Sequence, residues 1–166
     1  MKKILAVLLA GVCISAGAEN VYIDANIGMN TSWSAVGLSA DVGYMFNKYV
    51  GLEGGFTYSP GYSYNWGPNS WSSSYYMFDG AVKGVLPLSN MIDLYGKLGL
   101  AFNNYSSTWN GCSGCGGPAY SGSNVGLLMA GGVQFNLSRQ WSLHVEDYAS
   151  TGSNPNFLMF GGQFNF

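Results

Sequence analysis

Hydrophobic and polar residues alternate one for one over most of the chain. Val21, Ile23, Ala25, Ile27 and Met29 are separated by Tyr22, Asp24, Asn26 and Gly28, and successive side chains of a strand point to opposite faces, so the two sets lie on opposite sides of a sheet. The same period returns seven times. Val36, Leu38, Ala40, Val42, Tyr44 and Phe46 oppose Gly37, Ser39, Asp41 and Gly43; Val50, Leu52, Phe56 and Tyr58 oppose Gly51, Glu53 and Thr57; Phe78, Val82 and Leu86 oppose Asp79 and Lys83. Leu94, Leu98, Leu100 and Phe102 oppose Asp93, Lys97 and Ala101, and Val125, Leu127, Met129, Val133 and Phe135 oppose Gly126 and Gln134. Trp141, Leu143 and Val145 oppose Ser142, His144 and Glu146, and Leu158, Phe160, Phe164 and Phe166 oppose Gln163 and Asn165. The pattern predicts eight strands.

Their connections alternate in length. Short turns fall around Asn47-Lys48, Leu86 to Asn90 and Asn136 to Gln140, whereas Ser59 to Ser74 and Ser106 to Ser123 are long and rich in Ser, Gly, Tyr and Trp. Asn30 to Ser34 and Ala149 to Asn156 complete the second set. Short turns on one side and longer loops on the other are the asymmetry of an up-and-down barrel in an outer membrane. No polar backbone group can be left open in hydrocarbon, so eight such strands are expected to close into an all-β, antiparallel transmembrane barrel.

Charge decides between this barrel and a soluble one. Only 8% of the 166 residues are charged, against roughly 25% in an average soluble domain. A soluble barrel would put its apolar residues inside and need a charged exterior that this chain does not possess. Here nearly every charge lies opposite the large apolar side chains, which is the arrangement expected when lipid is the outer solvent. The formal net charge of -2 and the absence of a basic stripe argue against nucleic-acid binding. Disorder is disfavoured by an aromatic content of 16% with only five prolines.

Residues 1–18 read as a cleaved secretory signal peptide: Lys2 and Lys3, an apolar run from Ile4 to Ile14, then Ala16-Gly17-Ala18. The run is too short to span a bilayer as a helix. Val12 separates Gly11 from Cys13, unlike a lipoprotein signal, so residues 19–166 are expected to form one barrel domain in the outer membrane of a Gram-negative bacterium. Its expected partners are outer-membrane lipids and lipopolysaccharide.

With these segments in view, the chain resembles the outer membrane protein A family of small transmembrane barrels. Asn47-Lys48-Tyr49-Val50-Gly51-Leu52-Glu53 looks like that family's first turn and third strand, and Leu94-Tyr95-Gly96-Lys97-Leu98-Gly99 and Gly131-Gly132-Val133-Gln134-Phe135 look like its fifth and sixth strands. The stretch Leu158 to Phe166, with Phe160, Phe164 and a terminal Phe166, resembles the signal read by the barrel assembly machinery. The resemblance implies a polar network in the lumen, with Glu53, Lys83, Lys97, Gln134, His144 and Glu146 at matching positions. Lys97 and His144 stand where arginine is usual, and Gln134 where a carboxylate is usual. The chain shows no counterpart of the peptidoglycan-binding domain that often follows such barrels, so no wall-tethering role is implied.

Alternation faces Asp24, Asp41, Glu53, Asp79 and Glu146 inward with Lys83 and Lys97. An eight-stranded barrel is only wide enough for side chains to fill it, so these groups are forced to pair. Glu53 is expected to pair with Lys83 or Lys97. The network can be a structural plug or a narrow gate that opens by exchange of partners. His144, the only histidine, invites comparison with lipid A deacylases, which are also eight-stranded barrels. Their nucleophilic serine follows the histidine by two residues, where this chain has Glu146, and His144 is predicted to face the lumen with Glu146 or Glu53 as its partner. Cys112-Ser113-Gly114-Cys115 reads as a local disulfide in an oxidising compartment; a redox motif would open a helix, and zinc would need further ligands. No metal site, cofactor or phosphate cradle is indicated. Loops 59–75 and 106–123 have the Tyr, Trp, Ser, Gly and Asn composition of recognition surfaces, which fits a host or surface ligand. The expected function is structural or surface-binding and adhesion-like; a narrow gated channel and a deacylase-like enzyme are the alternatives.

Overall fold

A computed structural model describes residues 20–32, 34–61, 63–66, 69–110, 119–151 and 156–166. The expected signal peptide, residues 1–18, and the expected disulfide partners Cys112 and Cys115 fall outside these residues. Nine strands follow in order: β1 (Val21–Asn30), β2 (Ala35–Asn47), β3 (Val50–Ser59), β4 (Ser63–Trp66), β5 (Asn69–Pro87), β6 (Ile92–Asn110), β7 (Tyr120–Asn136), β8 (Trp141–Ser150) and β9 (Asn156–Asn165).

Eight of them form the barrel. Each pairs antiparallel with its neighbours; β1 pairs with β9, and β3 pairs with β5 across β4, which closes the ring. Following the pairs once round from Val21 through Tyr44, Leu52, Val82, Leu98, Met129, Ala149 and Asn156 returns to β1 beside Thr31, whose N–H donates to Asn156 O at 2.8 Å. The circuit therefore climbs from one end of β1 to the other. Such a stagger in an eight-stranded barrel requires strands tilted by about 40°.

Each short turn is fixed by a side-chain oxygen that accepts from backbone N–H groups two and three residues on. Asn47 Oδ1 accepts from Tyr49 and Val50, Ser89 Oγ from Met91 and Ile92, and Ser138 Oγ from Gln140 and Trp141, all within 2.8–3.2 Å. This local bonding lets the chain reverse without a long loop.

The long connections differ from the loops expected. β5 and β6 stay paired from Pro87–Asp93 as far as Ser70–Asn110, and β6 and β7 as far as Ser107–Tyr120. β4 folds back on β5 from Ser63–Ser72 to Trp66–Asn69. Much of 59–75 and 106–123 is thus a sheet extension rising beyond the neighbouring strands. Runs of Ser and Tyr carry no apolar alternation, but the ladder established lower down continues through them.

Glycine serves two purposes in the wall. Facing inward, it seats a large side chain: a Cβ on Gly43 would strike the ring of Tyr22, and one on Gly132 the ring of Tyr95. Facing outward, Gly80 would meet nothing within 4 Å.

Candidate functional site: the lumen and the external ribbon

The lumen is built in three layers, counted from the short-turn end. Gln134 lies in the lowest, apart from the charged groups with which it was expected to act. Its Nε2 donates to Asn136 Oδ1 at 3.0 Å, Ser142 Oγ donates to the same oxygen at 2.9 Å, and Asn136 Nδ2 donates to Asp93 at 2.7 Å.

Above it, Glu53 and Lys97 centre an ion network in which they are only 5% and 7% exposed. Lys97 Nζ lies 2.5 Å from Glu53 Oε1 and 2.6 Å from Glu146 Oε2. Lys83 Nζ lies 3.4 Å from Glu53 Oε2 and donates to Gln163 Oε1 at 3.1 Å. The Tyr22 hydroxyl donates to Glu53 Oε2 at 2.6 Å, while the Lys83 ammonium sits over the rings of Tyr22 and Tyr95 at 4.5 and 4.7 Å. Glu53 thus meets both lysines named from the sequence, and Lys97 bridges two carboxylates from β3 and β8.

His144 has other partners than those expected. Its Nε2 donates to Asn26 Oδ1 at 2.6 Å and lies 3.5 Å from Asp24 Oδ2. Neither Glu53 nor Glu146 holds it, because both are engaged by lysine and the β1 residues are closer across the barrel. Asn26 Nδ2 passes the chain on to Asp41 Oδ2 and Ser39 Oγ, both at 2.8 Å. Asp41 and Asp79 line, with Glu53, Lys97 and Glu146, a hollow of about 10 Å³, room for about one water. Ser150 is separately occupied as acceptor of a hydrogen bond from Asn103 at 3.0 Å.

The third layer is apolar and was not foreseen. Tyr75, Met77, Leu128, Tyr148, Phe157 and Met159 are buried together, with Tyr148 stacked on Phe157 at 5.0 Å and Tyr75 tilted against it at 5.9 Å. They cap the charged layer on the side of the long connections. The hydroxyls are satisfied at the edges, Tyr148 to Thr57 at 2.9 Å and Tyr75 to Asn103 at 2.5 Å.

On the outer wall the order is reversed. Ile27, Val42, Leu52, Phe78, Val82, Leu98, Leu100 and Met129 are exposed among the outward positions. At the short-turn end Trp141, Phe164 and Phe166 form an edge-to-face chain with centroids 4.9 and 5.0 Å apart, and Tyr44 meets Phe46 at 5.5 Å. Phe160 projects outward as well.

Higher up, the faces exchange character. Along β5 the outward positions turn from Phe78 and Tyr76 to Ser74 and Ser72, and along β6 from Phe102 to Asn104, Ser106 and Thr108. The face that continues the lumen becomes aromatic: Tyr75, Tyr105, Trp71 and Trp109, with Trp71 and Trp109 paired across the ladder at 6.2 Å and each 42% exposed. Tyr105 rests on Gly122, where a Cβ would strike its ring, and lies 5.8 Å from Tyr120.

An antiparallel ring that presents hydrocarbon outward over its lower part, hides paired charges within and turns polar outside only above is a transmembrane barrel of an outer membrane. The chain belongs to the outer membrane protein beta-barrel domain family, whose model matches residues 4–161. Its place is therefore the outer membrane of a Gram-negative bacterium. No curated protein matches the chain. Among solved structures it is similar to the N-terminal β-barrel domain of Pseudomonas aeruginosa OprF, with a TM-score of 0.66 and 13% identity over 90% of this chain and 99% of that one. Neisserial surface protein A gives a TM-score of 0.62 at 16% identity, covering 90% and 99%. The attachment invasion locus protein Ail of Yersinia pestis, in complex with the heparin analogue sucrose octasulfate, gives 0.61 at 18%, covering 89% and 97%. These likenesses are of fold.

Proposed function

We propose that the protein is a non-enzymatic, non-conducting surface barrel whose external ribbon makes contacts through uncharged aromatic and hydroxyl groups. The observation that carries this reading is compositional and geometric at once. Segments 30–34, 59–75, 106–123 and 149–156 contain no Asp, Glu, Lys or Arg, while Trp71 and Trp109 are half-exposed on the ribbon's inner face. Rigid rings beside short hydroxyl side chains provide contact area at low entropic cost and hydrogen bonds without net charge. A neutral, hydroxyl-rich ligand such as an uncharged glycan matches that chemistry. A sulfated polyanion of the kind bound by Ail would find no cation in these segments.

The ion network and its apolar cap act in this reading as a structural plug. With the charges paired across the lumen and room for about one water among them, a conducting path would require several pairs to part together. His144 lies on the lumen side with Asn26 and Asp24, away from a lipid substrate. The test is a glycan array probed with the refolded protein at low and high salt. Binding to neutral glycans that survives high salt and is lost in Trp71→Ser/Trp109→Ser is expected. Binding confined to sulfated glycans, or binding unchanged in the double variant, would contradict the proposal. In planar bilayers the protein is expected to give no discrete conductance steps.

A further inference from the structure

Two short turns carry the only cationic side chains that the barrel leaves outside its lumen. Of the six Lys and Arg residues, Lys2 and Lys3 belong to residues 1–18, Lys83 and Lys97 are buried in the ion network, and Lys48 and Arg139 stand in the β2–β3 and β7–β8 turns. The long connections hold none. Lys48 Nζ lies 4.8 Å from the centre of the Tyr49 ring, and among the described residues no carboxylate pairs with it. Arg139 is on the opposite wall, because β7 and β8 stand halfway round the ring from β2 and β3.

Above Lys48 the outer wall is hollowed. Two outward rows run side by side across the ladder, Tyr44, Leu52, Val82 and Leu98 in the lower and Val42, Gly54, Gly80 and Leu100 in the upper. The paired glycines interrupt the upper row, and these residues border an open groove of about 720 Å³. A Cβ on Gly54 would meet nothing closer than 3.6 Å, and one on Gly80 nothing within 4 Å. Beyond this floor the rings of Phe56 and Phe78, 4.9 Å apart, form a ridge. Gly80 is four residues from Tyr76, where the outer face turns polar, and six from Leu86 at the short turn. At ~3.3 Å per residue and a tilt near 40° it lies about 10 Å below the first and about 15 Å above the second. The floor is therefore near mid-membrane, and the groove runs from it to Tyr44 at the short-turn end. Asn47, which opens the turn, is three residues below Tyr44, about 8 Å along the axis and close to the thickness of one head-group layer.

The surroundings decide what fills such a groove. Hydrocarbon bathes this wall, so the occupant is an acyl chain, and half of a bilayer core of ~30 Å matches the height from Leu86 to the floor. Escape from water cannot favour one lipid over its neighbours here, because lipid tails are as apolar as the wall. Close packing and a held head group must do so. The glycine floor lets a chain approach the backbone while Leu52, Val82 and Leu100 flank it, and the ammonium of Lys48 at the foot of the groove attracts phosphate. We infer that the groove binds one acyl chain of a phospholipid from the leaflet on the short-turn side, with the head-group phosphate at Lys48. Charge separates this lipid from one in the other leaflet: a phosphorylated lipid entering from above would meet no Lys or Arg in segments 30–34, 59–75, 106–123 and 149–156.

The test uses phosphatidylglycerol with a photoactivatable diazirine at the end of one acyl chain, mixed into phosphatidylcholine vesicles that hold the refolded protein. After irradiation, peptides containing Leu52 to Gly54 are expected to carry about fivefold more label than those containing Leu143 to Val145 on the far wall. Gly80→Leu fills the groove from a position where a Cβ meets nothing within 4 Å, and should bring the label on Leu52 to Gly54 down to the level of the far wall. Lys48→Ala should lower it about as far, Lys48→Arg should preserve it, and Arg139→Ala should leave it unchanged. Heat-modifiable gel mobility verifies folding of each variant. Even labelling round the barrel, undiminished labelling of Gly80→Leu, or an equal loss from Arg139→Ala would overturn the inference. So would a groove labelled more strongly by lipid A carrying the same diazirine than by phosphatidylglycerol.

Discussion

The same three strands behave in opposite ways below and above the level of Tyr76 and Asn104. Below it, β5, β6 and β7 turn Phe78, Leu100 and Leu127 outward and Lys83, Lys97 and Gln134 inward. Above it, serines and threonine face outward and Trp71, Tyr105 and Trp109 face the side that continues the lumen. The backbone ladder does not change across this level. What changes is the solvent. In hydrocarbon the exterior must be apolar and charges must pair inside; in water the ribbon can wet its outer face and gather its aromatic rings on the other. Strand geometry fixes which residues share a face, and the surrounding medium determines which face is apolar.

The sharpest way to break the lower half is to remove its shared cation. Lys97→Met leaves Glu53 and Glu146 without the ammonium between them, and stranding buried charges costs about 3–5 kcal/mol. Urea unfolding in detergent micelles should show a loss of that order; a midpoint equal to the parent's would mean the carboxylates are solvated. Removing the apolar cap comes next. Phe157→Ala empties the centre of the upper layer, for which about 3 kcal/mol is expected, and it should also raise the rate of small-solute entry into proteoliposomes.

Glycine positions separate the two faces of the wall. Gly43→Val drives a branched side chain into the Tyr22 ring and should cost about 1–3 kcal/mol as overpacking does. Gly80→Val points into open space on the lipid side and should leave the unfolding midpoint unchanged or slightly raised. Equal losses from the two would contradict the assignment of faces. The smallest effect belongs to the ribbon. Trp71→Ser/Trp109→Ser should alter barrel stability by no more than about 0.5 kcal/mol, as surface changes do, because the closed part of the ring lies below it.

Much of the barrel was legible because its strands alternate cleanly: Val21 to Met29 states its two faces without ambiguity. Alternation yields a face but no partner across the lumen. That Glu53 reaches two lysines and that His144 meets Asp24 and Asn26 depends on stagger, which the sequence does not display. The apolar cap was hidden for another reason. Phe157-Leu158-Met159-Phe160 is apolar at every position, and Met77 lies between Tyr76 and Phe78, so hydrophobicity alone cannot say which residues turn inward. The Ser and Tyr runs of the ribbon lack the period-two signal and so resemble loop in the sequence, although pairing from below carries the ladder on.

The measurement that tests the change of solvent most directly is a nitroxide scan of outward positions on β5, from Ser70 to Leu86, in lipid vesicles, comparing collisions with oxygen and with a water-soluble nickel chelate. Phe78, Val82 and Leu86 should favour oxygen, Ser74 and Ser72 should favour the chelate, and the crossover should fall at Tyr76. Oxygen-dominated exposure persisting to Ser72, or chelate-dominated exposure at Phe78 and Val82, would contradict the account.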